Sequence, residues 1–227
     1  MAAEKKLFLL DAYALIFRSY YAFIKNPRIT SYGLNTNAIF GFTTTLLEVL
    51  EKYNPTHIAV CFDHKSENVR KQEYPLYKAN RDETPEDIKR SEPFIRQIIE
   101  AFNIPILEKE GYEADDVIVT LATRAEKEGY TTYMMTPDKD FGQAVTDKIL
   151  MFKPARGGNP PEIMGPEEVC EKFGLDRTEQ IIDYLGLMGD KVDNIPGVPG
   201  VGAKTASKLL KQYGSMDGIY ENVSEIT

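Results

Sequence analysis

Residues 6–11 read KLFLLD, a short apolar run that ends in an aspartate. The same pattern recurs at residues 57–63, HIAVCFD, and at residues 131–140, where TTYMM is followed by TPDKD. These runs are mainly apolar and do not alternate, which is typical of strands buried on both faces of a parallel sheet. Two more strands are predicted at residues 104–107 and 148–152.

Helical stretches lie between these runs, at residues 37–52, 85–102 and 114–128. Strands that alternate with helices predict an α/β fold, with a mainly parallel central sheet and helices on both faces. Residues 64–84 fit neither pattern, since they are polar, charged and rich in tyrosine, and they predict a long excursion over the rim of the sheet.

The loop PARGGNPPEIMG, residues 154–165, is the predicted domain boundary. Beyond it the sequence predicts helices only, at residues 166–173, 177–188 and 202–213. The chain stops at Thr227 soon after a short amphipathic stretch, so we expect it to be a piece of a longer protein.

Composition narrows the functional class. The formal charge of −8 argues at first against a polyanionic partner. However, nine of the 35 acidic residues fall in a few clusters, and the other 26 are balanced by 27 lysines and arginines. The two cysteines are far apart, there is no signal peptide, and no apolar run approaches the roughly 20 residues of a membrane helix. We expect a cytoplasmic protein with no membrane contact.

The acidic clusters are the strongest functional signal. They are Asp11; Asp63; Glu113, Asp115 and Asp116; Asp138 and Asp140; and Asp190 and Asp193. The carboxyl ends of parallel strands share one edge of a sheet, so carboxylates remote in sequence would meet there. Taken alone, GYEADD is better explained as an acidic helix N-terminus and TPDKD as a polar turn. Their recurrence favours a site for Mg²⁺ or Mn²⁺, and two such ions about 3.5–4 Å apart can support phosphodiester hydrolysis.

The second signal is NIPGVPGVGAKTASKLL, residues 194–210. Its glycines and prolines predict a tight hairpin before a helix, whose free amides would bind a phosphate with help from Lys204 and Lys208. A P-loop is excluded, because Ala203 separates Gly202 from Lys204 and no apolar strand precedes the loop. The alternative is an ordinary glycine-rich turn between helices.

The third signal is YPLYKANR, residues 74–81. Lys78 and Arg81 would reach a scissile phosphate, and Tyr77 would stack on a base. The alternative is a solvated charged loop. His57 and His64 stand alone and are not predicted to be ligands or bases.

Together GYEADD, TPDKD, YKANR and GDKVDN–PGVPGVG, in this order, resemble the 5′-nuclease domain of bacterial DNA polymerase I, within the flap endonuclease superfamily. The resemblance covers essentially the whole chain. It implies a PIN-like nuclease domain over residues 1–160, with an arch at residues 64–84, and a helix–hairpin–helix DNA-binding domain over residues 161–227, truncated at its end. It also implies a two-metal nuclease that removes 5′ flaps and RNA primers and trims nicked or gapped duplexes.

The resemblance also assigns roles to residues. Seven carboxylates would build the first and shared metal shells: Asp11, Asp63, Glu113, Asp115, Asp116, Asp138 and Asp140. Asp190 and Asp193 would serve the second metal. Arg70, Lys78 and Arg81 resemble the catalytic basic residues of the arch. The duplex-binding element, which in the family also holds a monovalent cation such as K⁺, would comprise Gly197, Gly200, Gly202, Lys204, Thr205 and Lys208.

Two segments depart from the family pattern. Val69 precedes Arg70 where the family has phenylalanine, and FGQAV follows Asp140 where a leucine commonly follows the glutamine. Neither change touches a metal carboxylate, so they bear on arch contacts and substrate preference.

We expect a monomeric, nucleoid-associated enzyme that acts on DNA, with polymerase domains following residue 227. Two alternatives remain. A PIN-type ribonuclease shares the acidic sheet edge but normally lacks the helix–hairpin–helix. A non-catalytic DNA-binding module would keep the hairpin and lose the chemistry.

Overall fold

The computed structural model describes residues 4–155 and 159–226. Its centre is a six-stranded sheet in the order β3-β2-β1-β4-β5-β6. The strands are β1 Lys6–Asp11, β2 His57–Cys61, β3 Ile106–Leu107, β4 Thr131–Met135, β5 Ile149–Lys153 and β6 Glu162–Met164. The first five strands pair in parallel, as predicted. The predicted α/β fold class is therefore confirmed.

Helices cover both faces of this sheet. They are α1 Ala12–Ala22, α2 Asn37–Glu48 (continued by a π-helical turn, Val49–Tyr53), α4 Glu86–Ala101 and α5 Ala114–Lys127, whereas the short helix α3 Val69–Glu73 buries no residue and lies in the predicted arch. Successive side chains of a strand point to opposite faces. Accordingly, Phe8 and Leu10 pack in the core with α1, α2 and α4, whereas Leu9 packs in the core with α5.

Helix α1 was not predicted from the sequence. Its sequence, AYALIFRSYYA, is rich in aromatic residues of modest helix propensity. The helix is stabilised instead by burial of Leu15 and Ile16 and by its N-cap, because the Asp11 side chain accepts a hydrogen bond from the Ala14 N–H. Asp11 therefore ends a strand and caps a helix at once.

Strand β6 is the second difference from the sequence prediction. It pairs antiparallel with β5 at the edge of the sheet and lies inside the predicted boundary loop. Three residues are too few to show a strand pattern in the sequence. In the structure, Met164 pairs with Met151 and is buried in the core. The domain boundary between residues 160 and 161 stays a prediction, with residues 162–164 belonging to the sheet and residues 156–158 lying outside the described part.

The C-terminal part is helical, with α6 Pro166–Phe173, α7 Gln180–Met188, α8 Ala203–Tyr213 and α9 Met216–Glu221, followed by a 3₁₀ turn at Val223–Glu225. A two-stranded hairpin, β7 Gly189–Asp190 and β8 Ile195–Pro196, joins α7 to α8. Glycine is required at 189 and 197, since a Cβ on either would overlap the backbone of the other strand. Two helices joined by a hairpin segment are thus present, and the β-hairpin directly precedes the glycine-rich turn at residues 197–202, which the sequence predicted as the hairpin.

One continuous apolar core joins the two parts, running from Leu9 and Ile118 to Ile181 and Leu210. Of the described helices, none has the length and apolar character needed to cross a bilayer.

Candidate active site at the carboxyl rim of the sheet

The order of strands places a crevice between β1 and β4. From β1 the chain proceeds outward through β2 and β3 on one side, and through β4 and β5 on the other. Ligands of open α/β sheets bind at such a switch point, outside the carboxyl ends of the strands. Asp11 ends β1, and Thr136 to Asp140 follow β4, so both sides of the crevice carry acidic residues.

Asp11 is held at this rim by two hydrogen bonds. Its Oδ1 accepts from the Ala14 N–H at 3.1 Å, and its Oδ2 accepts from the Thr136 hydroxyl at 3.0 Å. Thr136 is fully buried and its Oγ1 also accepts from the Asp138 N–H at 3.2 Å. One hydroxyl therefore ties Asp11 to the turn that carries Asp138.

Asp63 and the GYEADD segment meet at the start of α5. The Asp63 Oδ1 accepts from the Ala114 N–H at 2.7 Å. Glu113 is the N-cap of α5, and the Asp116 Oδ2 accepts a hydrogen bond from the Glu113 N–H at 3.1 Å in a capping box. The helix start thereby fixes Glu113, Asp115 and Asp116 beside Asp63.

Arg70 lies among three of these carboxylates. Its guanidinium nitrogens are 2.8 Å from Glu113 Oε2, 3.4 Å from Asp115 Oδ1 and 2.7 Å from Asp116 Oδ1. Asn68 adds a hydrogen bond to Glu113 Oε1 at 2.8 Å. The predicted arch residue Arg70 thus pairs with the acidic cluster itself.

Residues 74–81 connect the same cluster to the helical part. The Lys78 ammonium is 2.7 Å from Glu113 Oε1 and 3.9 Å from Asp193 Oδ2, and Arg81 pairs with Asp193. Tyr77 is only 5 % exposed, and its hydroxyl donates to Glu113 at 2.8 Å. Its ring is therefore not available to stack on a base in this structure, unlike the sequence expectation.

The last acidic pairs meet through Lys139. Asp138 caps a 3₁₀ turn, Lys139–Ala144, by accepting from the Asp140 N–H at 3.1 Å. The Lys139 ammonium is 3.1 Å from Asp190 Oδ2, and Asp190 Oδ1 accepts from the Val192 N–H in the β7–β8 hairpin. The hairpin thus carries Asp190 and Asp193 to the rim.

Burial leaves much of this negative charge poorly compensated. Burial raises the pKa of Asp11 to about 7, and the charges of Asp63 and Asp138 add to the effect. Burial likewise raises the pKa of Asp115 to about 6, against the opposing charge of Arg70. It also raises the pKa of Asp140 to about 6, with a further contribution from Asp138.

Two carboxyls differ because a lysine contacts them. Burial alone would raise the pKa of Glu113, but the hydrogen bond and charge of Lys78 hold it below its ordinary value. The pKa of Asp190 is lowered in the same way, with burial outweighed by the hydrogen bond from Lys139. A positive charge at the rim therefore stabilises the ionised carboxylates.

The donor set fits hard divalent cations. All nine predicted ligands offer carboxylate oxygens, which Mg²⁺ and Mn²⁺ prefer. Asp140 Oδ1 is buried without a hydrogen-bond partner among the described residues. However, within residues 4–155 and 159–226, no three Asp, Glu, His or Cys side chains are spaced to hold one ion. Basic side chains form ion pairs with five of these carboxylates instead.

The predicted duplex-binding residues follow the β7–β8 hairpin and lie in the turn at residues 197–202 and on α8. Gly200 has a φ of 80°, a left-handed conformation that favours glycine, and Val201 closes the turn by bonding to the Val198 carbonyl. Lys204, Thr205 and Lys208 are exposed on α8, while Ala206 faces the core. Gly200, Gly202 and the two lysines are thus exposed, as their predicted role requires, whereas Gly197 is half-buried against the Gly189 backbone.

Sequence reasoning missed several residues of the site. Thr136, Asn68 and Lys139 each bond to a predicted ligand, and Asn80 and Asn194 join the arch segment to the hairpin loop. Thr136 and Lys139 belong to the TPDKD segment, beside Asp138 and Asp140. This proximity in sequence was the only available signal for them. The others depend on contacts across more than 40 positions of sequence.

A parallel sheet with an acidic rim, fused to a helix–hairpin–helix, defines a class of nucleases. The model for the 5′-3′ exonuclease N-terminal resolvase-like domain matches residues 6–174, and the model for the 5′-3′ exonuclease C-terminal SAM fold matches residues 177–227. The chain belongs to the 5′-3′ exonuclease family.

Curated relatives agree with this assignment. DNA polymerase I of Bacillus subtilis is 43 % identical over 229 aligned residues, which cover all of this chain and 26 % of that protein. A 5′-3′ exonuclease of Aquifex aeolicus is 40 % identical, covering 96 % of this chain and 73 % of that protein. The chain thus spans about a quarter of the length of the polymerase relatives it matches.

Solved structures share the fold. The bacteriophage T5 5′-exonuclease with bound zinc aligns with a TM-score of 0.75 at 24 % identity, over 96 % of this chain and 79 % of that one. The catalytic core of Rad2 in complex with a DNA substrate aligns with a TM-score of 0.62 at 19 % identity, over 96 % and 65 % of the two chains.

Proposed function

We propose that the chain is a structure-specific 5′ nuclease that hydrolyses phosphodiesters of 5′ flaps, RNA primers and nicked or gapped duplex DNA, using two Mg²⁺ or Mn²⁺ ions. One observation carries this proposal: nine carboxylates from two parts of the chain lie at the same rim of the sheet, together with four basic side chains. Family membership and the metal ions bound in the T5 5′-exonuclease structures support it.

The carboxylates divide by their position in the chain. Asp190 and Asp193 come from the hairpin loop and would hold the second ion. The shells of the first ion and those shared by both ions would be built by Asp11, Asp63, Glu113, Asp115, Asp116, Asp138 and Asp140. Bound there, the ions would supply an activated water and charge stabilisation for the leaving 3′ oxygen.

The basic side chains would bind the phosphate. Lys78, Arg81 and Arg70 already converge on the rim, and their nitrogens are donors suited to phosphate oxygens. Charge that develops on the phosphate during hydrolysis would then be stabilised by fixed donors, which is commonly a large part of catalysis.

The helix–hairpin–helix would hold the duplex by its backbone. Amides at Gly197, Gly200 and Gly202 would contact phosphates, with Lys204, Thr205 and Lys208 on the following helical turns, and a monovalent cation such as K⁺ would bind at this loop. These contacts carry no base information, so specificity would come from the shape of the junction. A bacteriophage T5 flap endonuclease of the same fold was solved with DNA and metal ions.

In the full-length protein, polymerase domains would follow, as the longer polymerase relatives indicate. A monomer working on DNA in the nucleoid fits such a role.

The test is a comparison of 5′-labelled double-flap DNA with an RNA hairpin, both in Mg²⁺. Cutting near the flap junction with little cleavage of the RNA supports the proposal. Preferential cleavage of RNA would favour a PIN-type ribonuclease. Tight binding of the flap without cutting, in wild type, would favour a non-catalytic DNA-binding module.

A further inference from the structure

Four basic side chains form ion pairs with five of the nine rim carboxylates. Arg70 pairs with Glu113, Asp115 and Asp116, and the remaining pairs are Lys78 with Glu113 and Asp193, Arg81 with Asp193, and Lys139 with Asp190. The other four, Asp11, Asp63, Asp138 and Asp140, have no ion pair within the described ranges. Five rim carboxylates therefore have a directly paired cation, whereas Asp63 and Asp140 are influenced by Lys78, Arg81 and Lys139 only at a longer distance.

The paired carboxylates need these cations while no ion is bound. The side chains of Glu113, Asp190 and Asp193 are only 9 %, 12 % and 17 % exposed. A buried carboxylate is costly unless it is paired and hydrogen-bonded. The same oxygens are proposed ligands of divalent ions, and an oxygen held by a guanidinium has little freedom to coordinate a metal.

Arg70 is the cation best placed to leave. It lies on α3, a five-residue helix in which no residue is buried. Movement of this helix would therefore expose little apolar surface, and its cost would be mainly the ion pairs of Arg70.

We propose that these basic side chains, Arg70 above all, are internal counter-ions that divalent metal must displace, and that displacement frees them to bind the phosphate of DNA. This inference rests on the proposed metal site. Metal and Arg70 then compete for Glu113, Asp115 and Asp116, while metal and DNA assist each other. The two effects are linked and equal in size. If bound metal raises the affinity of Arg70 for phosphate by some factor, bound phosphate raises the affinity of the site for metal by the same factor.

The competition makes an unusual prediction: removing a basic residue from the active site should tighten metal binding. Mn²⁺ affinity is measured without DNA, at low ionic strength, by the electron paramagnetic resonance signal of free Mn²⁺. Arg70→Gln should bind Mn²⁺ at least about fivefold more tightly than wild type, since loss of one adjacent unit charge is a large effect at the dielectric of a protein surface. The gain should shrink at about 1 M salt, because exposed charges are screened there.

Two variants control for charge and for folding. Lys71→Gln removes the same charge from the same helix, but the Lys71 side chain is exposed and forms no ion pair in the described part of the chain, so its Mn²⁺ affinity should stay within about twofold of wild type. Arg70→Lys keeps the charge and should stay closer to wild type than Arg70→Gln. If Arg70→Gln fails to fold, Lys139→Gln applies the same test to Asp190.

The outcomes separate this inference from the function on which it rests. Tighter Mn²⁺ binding in Arg70→Gln, with Lys71→Gln unchanged, supports internal counter-ions. Equal or weaker binding in a folded Arg70→Gln, or in Lys139→Gln if that variant must replace it, would overturn the inference and leave the metal site standing. Absence of Mn²⁺ binding in wild type would overturn the metal site and the inference together.

Discussion

Lys78 and Asp193 are joined twice, although 115 positions separate them in the sequence. The Lys78 N–H donates to the Asp193 carbonyl at 2.9 Å, and the Lys78 ammonium lies 3.9 Å from Asp193 Oδ2. Lys78 adopts a left-handed backbone conformation, with a φ of 56°, that aims its side chain at Glu113. The arch segment and the hairpin loop therefore form one structural unit above the rim.

Asn194 helps to hold this unit together. Its side-chain N–H₂ donates to the Leu76 carbonyl at 2.8 Å, and its own φ is 59°. Asn194→Gly removes the hydrogen bond while keeping a backbone that tolerates this φ. We expect amide hydrogen exchange at Lys78 to accelerate, with a loss of about 1 kcal/mol in the local opening free energy. Asn54→Gly is the control, because Asn54 also has a positive φ (45°) but lies elsewhere; unchanged exchange at Lys78 in Asn194→Gly would refute the contribution of Asn194.

Lys78 is predicted to act on the transition state more than on DNA binding. Lys78→Gln should slow single-turnover cleavage of a flap by about 10²–10³-fold, as expected for loss of one fixed donor to developing charge. Its flap dissociation constant should change far less, and Lys71→Gln should cleave at the wild-type rate. A loss confined to DNA affinity would contradict this role.

Thr136 is predicted to position Asp11. Thr136→Val keeps the shape of the side chain and removes the hydroxyl that bonds to Asp11, whereas Thr136→Ser retains it. The valine variant should lose about 1–3 kcal/mol in urea unfolding, since Asp11 Oδ2 loses its donor in a buried site. It should also bind Mn²⁺ about 10–100-fold more weakly, as is typical when the partner of a ligand is removed. Equal behaviour of the two variants would contradict the role of the hydroxyl.

The pH dependence of stability follows from the buried carboxyls. Burial raises the pKa of Asp11 from 3.8 to about 7, and those of Asp115 and Asp140 to about 6. The protonated forms are therefore favoured in the fold, and their stabilising effect is complete below pH 3.8 and lost as the pH rises towards 7. In EDTA, the free energy of unfolding should fall over this range.

Saturating Mg²⁺ should reverse that trend near pH 7, because bound ions favour the ionised carboxylates and stabilise only the folded chain. Glu113 and Asp190 have lowered pKa values and act in the opposite sense, but only below about pH 4.5. Urea unfolding with and without Mg²⁺ checks both arms. A flat profile in EDTA would refute the uncompensated charge at the rim.

The sheet and its acidic edge could be predicted because each rests on local patterns. KLFLLD and TTYMMTPDKD carry both the strand and the acid that follows it, and parallel pairing then brings the acids together. Helix α1 escaped prediction because its stabilising cap, Asp11, was interpreted only as a ligand. Strand β6 was not predicted because three residues are too few to show a strand pattern, and the strand is stabilised by its pairing with β5.

Side-chain partners were less predictable because they depend on tertiary contacts. Tyr77 was expected to stack on a base and is instead buried against Glu113, 36 positions away. Nothing in TPDKD indicates that Lys139 contacts Asp190, since that contact depends on how the hairpin packs on the sheet. The positions of the acids were thus visible in the sequence, but their counter-ions were not.

The acidic rim is proposed to be a divalent-metal nuclease site. Its most direct test is cleavage of a 5′-labelled double-flap DNA by the wild type and Asp116→Ala, each titrated with Mg²⁺ from an EDTA-treated state. We expect cutting near the junction that requires Mg²⁺ and is lost in Asp116→Ala, while flap binding persists. Cleavage that survives EDTA, or that Asp116→Ala retains in full, would contradict it.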